Sequence, residues 1–213
     1  MLKFYTVKNG GRLTSCVGPS LWLLEETGKP YQVVDIDIFK GEHKSESFLK
    51  LNPNGKIPCL QDDNFILWES VAINYYVAAK NKPELLGSNL QERALIDQWV
   101  LWCSSELNPP VSAIFTNAMK SAEQRDNNYM QQCKLKIMQN TIMIDKYLKD
   151  KKFFVNNKLT LADIHIASFM QIHSIFHADL SLYTNFNKWY KSMMLRPALK
   201  SLEKKKFIIL SYT

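Results

Sequence analysis

Glu69-Ser70 stands at the head of an apolar run, Glu69-Ser-Val-Ala-Ile73. An acid and a hydroxyl at a helix start leave free backbone N–H groups and the positive end of the helix dipole, which suit an anion such as a carboxylate. Just upstream lies Asn52-Pro-Asn-Gly-Lys-Ile-Pro-Cys-Leu60. Its Asn, Pro and Gly residues are turn formers, and Pro58 removes a backbone donor where a strand should begin, so it suits an edge or a boundary. Together the two stretches describe a small polar socket made of exposed backbone and a helix start. The other reactive residues are dispersed. Cys16, Cys59, Cys103 and Cys133 show no CxxC spacing, so neither a zinc site nor a disulfide framework is indicated, and free thiols in a reducing compartment are expected. His173 and His177 are four apart but lack the acid of an HExxH pattern, so no metal is expected.

The elements that must position these residues change character near residue 80. Before it, strands alternate with helices: Lys3–Val7, a helix over 18–27, Tyr31–Ile38, a polar helix around 45–51, a hairpin turning at Asp62-Asp63-Asn64, and a helix over 70–79. After Asn81-Lys82-Pro83, apolar residues recur at helical spacing over 94–107, 137–148, 161–176 and 186–194. Pro109-Pro110 is expected to break the first of these helices and restart it. The expected class is α/β plus all-α, with a mixed sheet in residues 1–80, a linker over 81–88 and a helical domain over 89–213. The chain has 213 residues, of which 46% are hydrophobic, and a net charge of +7. Residues 1–80 carry nine basic against nine acidic residues, so the whole excess lies in residues 81–213. A solvated helix face is the expected meaning of that excess, in preference to nucleic acid or an anionic membrane. With no apolar run near the roughly 20 residues that span a bilayer and no signal-peptide pattern at the start, a cytoplasmic protein is expected.

In this order and spacing, Gly41-Glu-His-Lys-Ser45, Phe48-Leu49, Asn52–Leu60 and Glu69-Ser-x-Ala-Ile73 resemble the thioredoxin-like half of cytosolic glutathione transferases, near the theta, phi and bacterial beta branches. Leu159-Thr-Leu-Ala-Asp163 resembles the capping box of that family's helical half, with Asp in place of the more general Glu or Gln. Asn187-Lys-Trp189 through Arg196-Pro197 resembles its last packed helix.

The resemblance implies an enzyme of detoxification with glutathione as co-substrate, acting as a cytoplasmic homodimer on a small hydrophobic electrophile, without metal. It implies that the backbone of Ile57, before a cis Pro58, pairs with the cysteinyl part of glutathione. Glu69 would face the γ-glutamyl ammonium and Ser70 its carboxylate, while His43, Lys44 and Lys56 would reach the glycyl carboxylate. The group that stabilises the thiolate should come from the loop after the first strand, where Thr14, Ser15 and Cys16 are consecutive candidates. Ser15 is the assignment, and Thr14 and Cys16 are the alternatives. A hydroxyl donor would favour conjugation, whereas Cys16 would favour glutathione-dependent thiol–disulfide exchange or peroxide reduction. The acceptor pocket would draw on Trp102, Phe115 and Met119, with Trp99, Cys103, Leu107 and Ile114 nearby. Two other readings stay open: a non-catalytic scaffold like the elongation factor gamma subunit, and an isomerase or dehalogenase of the same fold.

Overall fold

Residues 2–7 alternate between a buried and a half-covered side, with Leu2, Phe4 and Thr6 inward, the period-2 pattern of a strand covered unequally on its two faces. In the computed structural model, which describes residues 1–8, 16–118 and 120–205, they form β1 (Leu2–Val7). Next come α1 (Gly18–Thr27), β2 (Tyr31–Ile36), α2 (Glu46–Leu49), β3 (Cys59–Asp62), β4 (Phe65–Trp68) and α3 (Ser70–Asn81). The strands form a four-stranded sheet in the order β2-β1-β3-β4. β1 pairs parallel with β2 and antiparallel with β3, and β4 runs antiparallel to β3. This is a mixed sheet of thioredoxin-like form, as expected. Pro58 sits at the boundary before β3, so its missing N–H costs no ladder bond. Ile36, Phe48 and Cys59 form one apolar cluster of the unit, against which Tyr5 and Ile57 pack.

The chain divides into two compact units, Met1–Glu84 together with the segment from Pro197 onward, and Leu85–Arg196. The expected helical domain over 89–213 differs from this at its end. The helix Pro197–Lys204 (α10 below) buries Ala198, Leu199 and Leu202 and packs on α1, so the chain returns to the unit it began in.

The second unit holds α4 (Leu90–Trp102), α5 (Asn108–Ala118), α6 (Asn127–Tyr147), α7 (Leu161–Met170), α8 (Ile172–Ile175) and α9 (Thr184–Met194), before α10. The expected break at Pro109-Pro110 is instead a single π turn, Cys103–Leu107, through which α4 runs on into α5. Two prolines in a row remove two N–H donors. The wider turn gives Asn108 N–H the Cys103 carbonyl, and the Glu106 carbonyl takes Asn140 Nδ2 at 3.0 Å in place of the N–H that Pro110 lacks.

Every residue of α7 is buried, as befits a helix with apolar residues all round. Its capping box is present as expected. Asp163, fully buried, accepts from Thr160 N–H at 3.0 Å, Phe154 N–H at 3.1 Å and Trp189 Nε1 at 3.0 Å. One carboxylate thus ties the start of α7 to the preceding turn and to α9. The capping residue reads out a tertiary junction as well as a helix start.

Candidate functional site

Asn52 builds the socket. Its side chain accepts from Asn54 N–H at 3.0 Å and donates to the Lys56 carbonyl at 2.7 Å, while its own carbonyl accepts from Gly55 N–H at 2.9 Å. A single Asx side chain therefore fixes the turn from both sides. Gly55 has φ +57°, and a Cβ there would lie 2.8 Å from the His43 carbonyl oxygen, so glycine is required twice over. Lys44 Nζ crosses to this turn and donates to the carbonyls of Asn54 at 3.3 Å and Gly55 at 3.0 Å. Lys44, expected to reach the glycyl carboxylate, thus also has a structural role. It clasps the segment 41–44 to the turn 52–55. Asn52 was read in sequence only as a turn former. The Asn-x-Asn spacing of an Asx turn is the signal for its larger role.

The rest of the socket follows from that clasp. His43 is half-buried, and its Nδ1 is buried without a hydrogen-bond partner among the described residues. Lys56 is exposed. The Ile57–Pro58 peptide is cis, as the resemblance implies. Glu69 is exposed and takes φ +70°, a region unusual for a side chain of its size. Its side chain caps nothing, while its carbonyl accepts the first helical bond from Ile73 N–H at 2.9 Å. The first N–H groups of α3 and the half-buried Ser70 hydroxyl are therefore not consumed by a side-chain cap. A carboxylate fits there.

Cys16, two residues before α1, lies at this place. Its Sγ lies 3.7 Å from the Ile57 carbonyl, to which it donates. Burial pushes the Cys16 thiol above the ordinary cysteine range. Its own backbone N–H opposes this, the Glu69 charge adds to it, and the Lys56 charge works against it. Cys16, Lys56, Ile57 and Glu69 are thus brought within electrostatic reach of one another. Thr14 and Ser15 lie outside the described residues.

The other thiols are not placed for chemistry. Cys59 is in the core, and burial pushes its thiol up to about 11. Cys103 and Cys133 are also buried, with their thiols raised for the same reason. His173 is buried and shares a 2.8 Å hydrogen bond between Nε2 and Thr141 Oγ1. Of the acceptor-pocket residues, Trp102 is half-buried beside Trp99, with ring centroids 5.4 Å apart, and Phe115 is half-buried on α5. Met119 lies outside the described residues. Trp99, Cys103, Leu107 and Ile114 are buried core of the helical unit.

Residues 12–79 match the family model for the N-terminal domain of glutathione S-transferase, and residues 107–197 match the model for its C-terminal domain. The chain belongs to the glutathione S-transferase family. It is a transferase with glutathione as its co-substrate. This transferase is 32% identical over 204 residues to a probable glutathione S-transferase of Oryza sativa subsp. japonica, GSTF2, covering 92% of this chain and 93% of the relative. It is 31% identical to glutathione S-transferase 1 of Zea mays, covering 94% and 95%. Among solved structures it resembles glutathione S-transferase-I bound with lactoylglutathione, with a TM-score of 0.84, 28% identity and coverage of 95% and 98%. It also resembles the transferase URE2P6 of Phanerochaete chrysosporium in complex with oxidized glutathione, with a TM-score of 0.83, 26% identity and coverage of 97% and 96%.

Proposed function

We propose that this transferase holds glutathione along Ile57 and the start of α3, ionises its thiol through Ser15, and delivers the thiolate to a small hydrophobic electrophile. The observation that supports this most is the 3.7 Å contact of Cys16 with the Ile57 carbonyl. It carries the end of the candidate loop to the backbone expected to pair with the tripeptide. On this reading Glu69 meets the γ-glutamyl ammonium, Ser70 and the α3 N–H groups meet its carboxylate, and His43, Lys44 and Lys56 attract the glycyl carboxylate.

The thiol proton of glutathione passes to solvent, the Ser15 hydroxyl donates to the sulfur that remains, and that sulfur forms a bond to the electrophilic carbon as the leaving group departs. Stabilising the anion lowers the thiol pKa, so more thiolate is present at neutral pH. Thr14 is the alternative hydroxyl. Cys16, kept protonated by burial, is a poor nucleophile at neutral pH, which favours conjugation over disulfide or peroxide reduction. Trp102, Phe115 and Met119 are assigned to the apolar acceptor surface. The protein is further proposed to act in detoxification as a cytoplasmic homodimer.

The test is retention on immobilised glutathione, followed by conjugation assays of the Thr14→Ala, Ser15→Ala and Cys16→Ala variants with a chlorodinitrobenzene acceptor. Ser15→Ala should remove most of the rate and Cys16→Ala little of it. If the protein does not bind glutathione, or if none of the three variants is slower, the reading is wrong.

A further inference from the structure

A cavity of about 650 Å³ opens on the helical unit, within the size range of small-molecule sites. All of its lining comes from residues 148–192, whereas every residue assigned above to glutathione belongs to the other unit. Its chemistry is one-sided. Lys151, Lys152 and Lys188 line it against a single acid, Asp150. Among the described residues, none of these three ammonium groups lies within ion-pair distance of a carboxylate.

The fold holds these donors in place. Asp150 turns the chain after α6 with φ +60°, so that Lys151 and Lys152 follow at the rim. The Lys151 ammonium rests 3.4 Å from the centre of the Tyr147 ring, which fixes its stem without neutralising it. Lys152 N–H donates to Asn157 Oδ1 at 2.7 Å, which uses the acceptor of that side chain and leaves its NH₂ as a further donor. On α9, Lys188 lies on the same face as Ser192, one helical turn apart. Ser192 Oγ donates to the Trp189 carbonyl at 2.6 Å, and the buried Trp189 forms part of the wall. Donors exceed acceptors, positive charges outnumber negative by two, and the wall behind them includes the buried Trp189.

We propose that this cavity binds a compact organic dianion, a phosphate monoester or a dicarboxylate, independently of glutathione. Charge-assisted hydrogen bonds from two or three lysines would hold the anionic group, and the Asn157 amide would orient it. The sequence gives no hint of the site beyond a basic excess, because its lysines come from a loop and a helix separated by some 35 residues.

The test is calorimetric titration of the full chain, saturated with glutathione and at about physiological salt, with glucose 6-phosphate and with succinate. Glucose and inorganic phosphate serve as controls. Saturable one-to-one binding of at least one organic dianion is expected with Kd below about 1 mM, with amide shifts at residues 150–157 and 185–192. Lys152→Gln with Lys188→Gln should weaken it roughly tenfold or more, while Lys188→Arg should retain it and so separate charge from folding. Absence of saturable binding, affinity unchanged by the lysine variants, equal binding of glucose, or inorganic phosphate binding as tightly as both organic probes would each overturn the proposal. Glutathione binding, measured first on the same sample, tests the reading of the other site separately.

Discussion

Gly55→Ala perturbs the socket proposed to hold glutathione without touching a residue assigned to the chemistry. A side chain at φ +57° costs about 1–2 kcal/mol. The new Cβ would also lie 2.8 Å from the His43 carbonyl oxygen and 2.8 Å from Lys44 Nζ. The lysine end, which is exposed, can swing away at the loss of two hydrogen bonds, about 0.5–1 kcal/mol each. The His43 carbonyl is backbone and must move with its turn. The sum is roughly 2–4 kcal/mol. A chain of 213 residues has an unfolding entropy near ~450 cal/mol/K, so each kcal/mol shifts Tm by about 2 °C. A fall of roughly 4–9 °C in a calorimetric scan is therefore expected. Because His43 and Lys44 shift while the segment at Cys16 does not, KM for glutathione should rise severalfold, with kcat at saturating glutathione within about twofold of wild type. An unchanged Tm and KM would refute the clasp between residues 43–44 and 54–55. A tenfold loss of kcat at unchanged KM would refute its assignment to binding.

Three further outcomes follow from the same geometry. Ser15→Ala should lower kcat/KM for conjugation by roughly a hundredfold or more, the scale of a lost transition-state donor, whereas Cys16→Ala should stay within about threefold in a steady-state assay. Alkylation of Cys16 by iodoacetamide, followed by mass spectrometry, should be slower at pH 7 than that of glutathione and should still be climbing above pH 9, because burial raises its thiol; a plateau below pH 8 would contradict this. Asp163→Ala removes the acceptor of three buried N–H donors, at about 1–3 kcal/mol each, and also a carboxyl that burial pushes up to about 6. The latter relief is worth about 3 kcal/mol at pH 7, so a net loss of about 3 kcal/mol, within a range of roughly 0–6, is expected in denaturant unfolding. The folded carboxyl holds its proton to higher pH than the unfolded one. The Asp163 contribution therefore falls as pH rises from about 4 to 6, and this part of the pH dependence should vanish in the variant.

Much of the fold was legible because it depends on local rules. The period-2 and helical spacings, Pro58 before a strand and Thr160 with Asp163 at a helix start each report the conformation of their own few residues. The order of these signals identified the mixed sheet, the helical half and the residues of the socket. Other features depend on partners distant in sequence. The run through Pro109-Pro110 stays helical because Asn140, some 30 residues on, takes a carbonyl that the prolines leave unpaired. The segment from Pro197 was read with the helical half because its pattern is helical, yet which neighbour an amphipathic helix packs on is not written in its own period. The structural role of Lys44 was not legible because its carbonyl partners lie ten residues away across a turn. Cys16 read as a possible nucleophile because its type allows it, and only burial against Ile57 decides its protonation. Sequence by itself thus determined the elements and the turn and helix start that make up the socket, since those follow from short-range sterics and hydrogen bonding. Tertiary structure alone decided which of those groups are charged, clasped or free, because protonation and pairing are properties of surroundings that distant segments supply.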